Sequence, residues 1–125
     1  MTSIGNIAIY VSDLEKSERF YVNALGLEVL TRINTPAVHE VIVGSSSGGS
    51  NLMLAKATGS EAPVRPEGIW KVFLFTDDVA ELQQRAIAGG AEWVADPEHL
   101  EQFKVTIAFV KDPDGYLIEL GQRHT

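Results

Sequence analysis

The feature that most constrains this chain is an internal repeat. The apolar run 7–11 (IAIYV) is followed by polar residues and then by a helical pattern. A similar run, 72–75 (VFLF), occurs in the second half with the same continuation. After each helical pattern comes a segment that begins with glycine, 26–29 (GLEV) and 90–93 (GAEW). Self-similarity of this kind marks repeated supersecondary units. The sequence therefore predicts two copies of one structural plan.

Each copy reads as a strand, a helix and three further strands. Ser12 precedes Glu15 by three residues, as Asp78 precedes Glu81, and this spacing is typical of the first turn of a helix. Alternating apolar segments bounded by Gly, Pro, Asn and Ser predict the later strands, at 28–33, 38–43, 51–55, 92–95, 105–110 and 116–120. The acidic run 96–101 between two of these strands is interpreted as a solvated loop.

The order βαβββ, used twice, predicts an α+β fold. We expect two βαβββ modules in tandem, 4–56 and 69–121, to form a curved mixed sheet with a concave pocket. The segment 57–68 between them contains two prolines and has little periodicity, which is typical of a linker. With 125 residues the chain has the size of one domain, 1–125.

Charge and cysteine content narrow the function classes. Ten Lys and Arg against seventeen Asp and Glu give a net charge of −7, which argues against nucleic acid or an anionic membrane as the partner. A neutral or cationic small molecule remains open. The chain has no cysteine, which excludes disulfides, thiolate nucleophiles and cysteine metal sites. No apolar run approaches the roughly 20 residues that span a bilayer, and no leader pattern is present, so we expect a cytoplasmic protein.

Strand alternation predicts which side chains share the sheet face opposite the helices, because successive strand residues point to opposite sides. That face should collect apolar, aromatic and polar side chains: Asn6, Ala8, Tyr10, Asn51, Met53, Lys71, Phe73, Phe75, Leu117 and Glu119. An apolar wall with a few convergent polar groups is typical of a small-molecule site. The alternative is that Lys71 and Glu119 lie near strand ends and reach solvent. Trp70 and Trp93 are interpreted as packing residues.

The doubled plan and two of its segments carry a family resemblance. The opening 6–14 (NIAIYVSDL) and the closing 109–120 (FVKDPDGYLIEL), together with the repeat, resemble the vicinal oxygen chelate superfamily, the glyoxalase I-like proteins. The resemblance covers almost the whole chain. Its members include glyoxalase I, ring-cleaving dioxygenases and bleomycin-sequestering proteins, so the fold does not select one chemistry. The resemblance also implies a homodimer.

The resemblance identifies four positions at which metal-dependent members carry ligands, and in this chain they are Asn6, Met53, Lys71 and Glu119. Only Glu119 is a strong ligand for a divalent ion, because Asn6 offers an amide, Met53 a thioether and Lys71 a cation. His39 is a weaker alternative ligand, and its exposure on a strand is the simpler interpretation. The sequence thus predicts no cofactor, with a divalent metal as the alternative.

Two function classes remain open. The first is a protein that binds a small, mainly apolar or aromatic molecule, with Lys71 paired to Glu119 where the metal would lie. Its ligand contacts would come from a set of face residues: Asn6, Ala8, Asn51, Met53, Phe73, Phe75 and Leu117. The second is a lyase or isomerase of the glyoxalase family, with or without a metal, that has Glu119, Lys71 and Tyr10 as catalytic residues. In it Glu119 or Tyr10 handles a proton next to a carbonyl, and Lys71 stabilises the oxyanion. Glyoxalase I activity itself is not expected, because that chemistry relies on a metal as Lewis acid.

Overall fold

The βαβββ order predicted from the repeat is present twice in the structure, a computed structural model that describes residues 1–59 and 63–125. The chain divides into two units, unit 1 (Met1–Arg65) and unit 2 (Pro66–Thr125). Residues 60–62 of the predicted linker lie outside the described residues. The predicted α+β class, with two modules in tandem, is confirmed.

Unit 1 contains one helical segment and four strands. In chain order these are β1 (Asn6–Tyr10), α1 (Leu14–Arg19), a π-helical turn (Phe20–Ala24), β2 (Glu28–Asn34), β3 (Val38–Gly44) and β4 (Asn51–Ala57). Unit 2 repeats the plan with a short 3₁₀ turn before it and another within it. Its elements are the turn Pro66–Gly68, β5 (Val72–Phe75), α2 (Val79–Ala88), β6 (Glu92–Leu100), the turn Glu101–Phe103, β7 (Val105–Lys111) and β8 (Leu117–Arg123).

Each unit has its own four-stranded mixed sheet. The strand orders are β1-β4-β3-β2 and β5-β8-β7-β6, so the first strand of each unit lies beside the last one. These two strands are parallel, and the other neighbours are antiparallel. The parallel pairing brings the opening and closing strands of a unit side by side, which places their outward side chains in common rows.

The helices bury their apolar stripes against the sheet of their own unit. In unit 1, Phe20 and Tyr21 are fully buried and their rings meet edge to face at 5.2 Å, and α1 packs on β3 and β4. In unit 2, Leu82 and Ala86 of α2 are buried, and α2 packs on β6, β7 and β8. Burial of such side chains supplies most of the stabilisation of a short helix.

One helix start was predicted correctly and the other was wrong by one residue. Asp78 accepts a hydrogen bond from the Glu81 backbone N–H at 3.1 Å, as the spacing predicted. In unit 1 the cap is Asp13 rather than Ser12, and Asp13 accepts from the Lys16 backbone N–H at 3.0 Å. Both residue types favour this position, so the pattern alone did not separate two neighbours.

The acidic run 96–101 is not the predicted loop. Strand β6 continues to Leu100, and its pairing with β7 shifts between Trp93 and Ala95 and again between Ala95 and Glu98. These irregularities interrupt the strand alternation in this segment, whereas the loop was predicted from the acidic charge of the run. β6 is also an edge strand, where Pro97 is tolerated because one side of the strand makes no ladder hydrogen bonds.

Within the described ranges, no helix combines the length and the apolar character that crossing a bilayer requires.

Candidate functional site

The sheet face of unit 2 that lies opposite α2 carries the charged and aromatic residues singled out from the sequence. Register places Phe73 beside Glu119, and Glu119 beside Phe109, in one row across β5, β8 and β7. The next row joins Phe75 to Gly121. Directly opposed residues point to the same side of a sheet, so these side chains share a face.

Lys71 and Glu119 form an ion pair on this face. The Lys71 ammonium donates a hydrogen bond to Oε1 of Glu119, although 48 residues separate them in the chain. The Glu119 side chain is only 8% exposed and that of Lys71 is 21% exposed. A buried carboxylate requires a partner of this kind, because an isolated charge is expensive to remove from water. The alternative in which both residues reach solvent is therefore wrong for Glu119.

Aromatic rings surround the Lys71 ammonium. Its Nζ lies 3.9 Å from the centre of the Trp70 ring and 5.9 Å from the centres of Phe73 and Phe109. An ammonium over a ring face is attracted by the ring quadrupole. Trp70 is 79% exposed, so its interpretation as a packing residue is wrong. Its indole instead covers one side of the ion pair.

A glycine makes room for the aromatic pair. The Phe73 and Phe75 rings lie 4.8 Å apart and are tilted by 49°. A Cβ atom at Gly121 would come within 2.8 Å of the Phe73 ring, closer than such contacts occur. On the other side of the pair, the Arg123 guanidinium lies 3.6 Å from the centre of the Phe75 ring. Gly121, Phe109 and Arg123 were not among the predicted site residues, although the strand alternation of β8 and β7 would have found all three.

Unit 1 places its predicted site residues on its own sheet. Asn6 lies opposite Asn51, and Ala8 lies opposite Met53. Ala8, Tyr10 and Met53 line a pocket of about 230 Å³ together with Ile9, Val38, Glu40 and Ala55. Glu40 was not among the predicted site residues. The alternation of β3 carried the signal for it, since Glu40 shares the face of Ile42 and Met53.

His39, the weaker metal candidate, does not share that pocket face. It lies opposite Lys56 in the β3–β4 ladder, one residue out of step with Glu40, and is exposed. Leu117 of unit 2 is half-buried and lies opposite Lys111. Trp93 is 54% exposed and bonds Asp96 through its indole N–H at 2.8 Å, so its packing role is also wrong.

The sequence and the fold of this chain are similar to those of known proteins. The sequence model of the Glyoxalase/Bleomycin resistance protein/Dioxygenase superfamily matches residues 3–120. A probable lactoylglutathione lyase of Synechocystis sp. is 30% identical over 118 residues, which are 91% of this chain and 90% of that protein. A putative lactoylglutathione lyase of Brassica oleracea var. gemmifera is 29% identical over 94% of this chain, which spans only 43% of that longer protein.

Solved structures of glyoxalase-like proteins have the same fold as this chain. The trypanothione-dependent glyoxalase I of Leishmania major has 28% sequence identity and a TM-score of 0.79, covering 98% of this chain and 87% of that one. A glyoxalase family protein from Bacillus cereus has a TM-score of 0.88 over 100% of this chain and 96% of that one; at 19% identity it shows the fold alone. A protein built of two βαβββ units with this sequence match is a glyoxalase-like protein. The chain belongs to the Glyoxalase/Bleomycin resistance protein/Dioxygenase superfamily.

The comparisons contradict the prediction that the protein has no cofactor. The Synechocystis relative is named a lactoylglutathione lyase and the Leishmania structure a glyoxalase I. The resemblance ties that activity to a divalent metal acting as Lewis acid. The prediction of no cofactor is therefore wrong for the family to which this chain belongs.

The side chains within each unit do not fit a metal centre on their own. Across 1–59 and 63–125, no group of three or more His, Asp or Glu side chains is placed to hold an ion. The strong ligand Glu119 is already paired with Lys71. Met53 offers only a thioether, which is a poor ligand for the hard divalent ions that carboxylates bind, and Asn6 offers one neutral amide oxygen.

Proposed function

We propose that the protein binds a small, mainly apolar or aromatic molecule on the sheet face of unit 2. One observation carries the proposal: the Lys71 ammonium is held by buried Glu119 at the edge of a face that exposes aromatic rings. Phe73 and Phe75 are 42% and 56% exposed, although burial of such rings is strongly favourable. An apolar surface beside one anchored polar group is the usual composition of a small-molecule site.

The ion pair would orient the ligand rather than supply most of its affinity. Lys71 donates one hydrogen bond to Glu119. Because an ammonium has three N–H donors, two remain for a carbonyl or hydroxyl of a ligand. The ligand's rings would stack on Phe73 and Phe75. The predicted ligand contacts on unit 1, which are Asn6, Ala8, Asn51 and Met53, stay a prediction.

The test uses 8-anilinonaphthalene-1-sulfonate, an aromatic probe whose fluorescence rises on apolar surfaces. We expect Phe75→Ala to weaken its binding about tenfold, because the variant removes half of the exposed ring pair. Trp93→Ala is the matched control, since Trp93 is also exposed but lies on the row of Val110, the other face of the sheet. Equal loss in both variants would show nonspecific binding and contradict the proposal.

Native mass spectrometry of the protein taken directly from cells provides a second test. A retained organic molecule of low mass supports the binding role, and the same spectrum reports bound metal and oligomeric state. Protein that carries no small molecule and gains none from a cell extract would argue against a dedicated ligand site.

A lyase or isomerase is the second candidate, favoured by the lactoylglutathione lyase names of relatives at about 30% identity. In this role the Glu119 carboxylate accepts a proton from the carbon next to a carbonyl, and the Lys71 ammonium stabilises the oxyanion that forms. The same carboxyl then returns the proton to a neighbouring carbon. Tyr10, the other predicted catalytic residue, lies on unit 1 and stays a prediction.

Glu119→Gln separates the two functions. For an enzyme, turnover of the hemithioacetal of methylglyoxal and glutathione should fall by at least about a hundredfold while probe binding persists. Glu81→Gln is the control, because Glu81 is an exposed glutamate on α2, which packs on the opposite face of the sheet. Unchanged turnover in Glu119→Gln would remove this residue from any mechanism.

A further inference from the structure

The pocket of unit 1 contains a carboxylate among apolar walls. Its volume is about 230 Å³, and its lining residues are Ala8, Ile9, Tyr10, Val38, Glu40, Met53 and Ala55. Glu40 is the only carboxylate in that lining, which contains no Lys, Arg or His. A mainly apolar pocket with a single charged group selects ligands by charge as well as by shape.

Register explains why there is room beside this carboxylate. Tyr10, Ala55 and Glu40 lie in one row across β1, β4 and β3. Tyr10 and Glu40 are thus two strand spacings apart, about 10 Å between their Cα atoms, with only the methyl group of Ala55 between them. The neighbouring row places the flexible side chain of Met53 next to this gap.

The structure supplies no cation to Glu40. Its side chain is half-buried, and in the part of the chain that the structure describes it has neither an ion pair nor a hydrogen bond. The nearby basic residues His39 and Lys56 lie opposite each other on the other side of the strand ladder. Asn6, which corresponds in the repeat to Lys71, is neutral.

Unit 2 shows how the same chain satisfies a carboxylate on the equivalent sheet face. There Glu119 is paired with the Lys71 ammonium, which also lies over the Trp70 ring. Unit 1 has the carboxylate and an aromatic residue but lacks the internal ammonium. The net charge of −7 adds a long-range attraction for cations.

We propose that the pocket of unit 1 binds an organic ammonium ion, whose charge pairs with Glu40 and whose hydrocarbon part lies against Tyr10 and Met53. A methylated ammonium fits this chemistry because it has weakly hydrated charge and gains from both a carboxylate and an aromatic ring. The site lies within unit 1 and does not depend on the role proposed for Lys71 and Glu119.

The test compares choline with 3,3-dimethylbutan-1-ol, which replaces its charged nitrogen by carbon and keeps its shape. Calorimetric titration of the full chain should give saturable binding of choline and binding of the neutral alcohol weaker by about tenfold or more. Glu40→Gln should weaken choline binding by about tenfold and leave the alcohol unchanged. Glu15→Gln, an exposed glutamate on α1, is the control and should bind choline as the wild type does.

Two further variants keep the outcome unambiguous. Ala55→Leu should block both compounds by filling the gap, and circular dichroism melting checks that each variant is folded. Trp93→Ala should keep choline binding, since Trp93 is an exposed residue of unit 2 and the site lies in unit 1. The proposal is overturned if choline does not saturate, if the alcohol binds as tightly as choline, if Glu40→Gln binds like the wild type, or if Trp93→Ala abolishes binding.

Discussion

The Lys71 ammonium lies between a carboxylate and aromatic rings that come from different parts of unit 2. Trp70 is its chain neighbour, whereas Phe109 and Glu119 come from β7 and β8. The sequence predicted the pairing of Lys71 with Glu119, because a buried carboxylate needs a cation and the repeat brings the two strands together. It also placed Phe73 on the same face, but it did not predict that Trp70 and Phe109 lie beside the ammonium, because these contacts depend on side-chain directions rather than on residue type.

Removing the cation of this pair should destabilise the protein. In Lys71→Met the Glu119 carboxylate, 8% exposed, loses its partner, and we expect the free energy of unfolding to fall by about 2 kcal/mol. Urea unfolding at pH 7 measures this loss. The double variant Lys71→Met, Glu119→Leu should recover most of it, because no charge is then left unpaired.

Lys111→Met is the control for that experiment. Lys111 and Glu92 lie 4.0 Å apart with both side chains largely exposed, so its cost should stay below about 0.5 kcal/mol. Equal losses in Lys71→Met and Lys111→Met would show that burial does not distinguish the two pairs.

Gly121→Ala should change ligand binding on the aromatic face more than it changes the free energy of unfolding. Gly121→Ala places a Cβ within 2.8 Å of the Phe73 ring, but that ring is 42% exposed and can turn outward. We expect a loss of about 1 kcal/mol in urea unfolding and a larger relative change in binding of the aromatic probe. Unchanged probe binding would contradict the role of Gly121 in setting the ring positions.

At the scale of elements, one ion pair joins a helix to a neighbouring strand. Arg32 of β2 makes a two-pronged contact with Glu18 of α1, with Nη2 2.8 Å from Oε2. The hydrogen bonds from Arg32 hold the pKa of the Glu18 carboxyl below its ordinary value; partial burial opposes this and the charge of Arg32 adds to it. Protonation of Glu18 at low pH would therefore weaken the ion pair that joins α1 to β2.

This link predicts how stability depends on pH. A carboxyl with a lowered folded pKa stabilises the protein above its unfolded pKa, about 4.3, and loses that effect as pH falls through the lower folded value. Glu18→Gln should therefore be less stable than the wild type by about 0.5 kcal/mol at pH 7, a modest figure because Arg32 is 53% exposed.

The difference in the free energy of unfolding between Glu18→Gln and the wild type should shrink as the pH falls below about 4. Thermal unfolding across that range checks it, with Glu67→Gln, an exposed glutamate of unit 2, as the control. A difference between Glu18→Gln and wild type that stays constant from pH 7 to low pH would contradict the assignment.

At the scale of the whole molecule, we expect the homodimer that the resemblance implies. Both units expose large apolar side chains, among them Ile7, Tyr10, Trp70, Phe75 and Trp93, and such exposure is typical of surfaces that bind partners or ligands. Sedimentation equilibrium at micromolar concentration should give twice the mass of 13.6 kDa. A monomer at all concentrations would contradict the expectation. Cytoplasmic residence and the exclusion of nucleic acid and membranes as partners stay predictions from charge and composition.

The sequence alone determined the order of elements, the α+β class and the family. These follow from strand, helix and turn patterns, each of which depends on residues close together in the chain. It also determined which side chains alternate onto a common sheet face. Strand bulges, which extended β6 through the acidic run, leave little trace in residue type. Only the tertiary structure decided that Trp70 covers the Lys71 ammonium, that Gly121 admits the Phe73 ring and that Glu40 faces a pocket without an internal cation. These features depend on which strands become neighbours and in what register, and pairing over long distances is not encoded in local alternation.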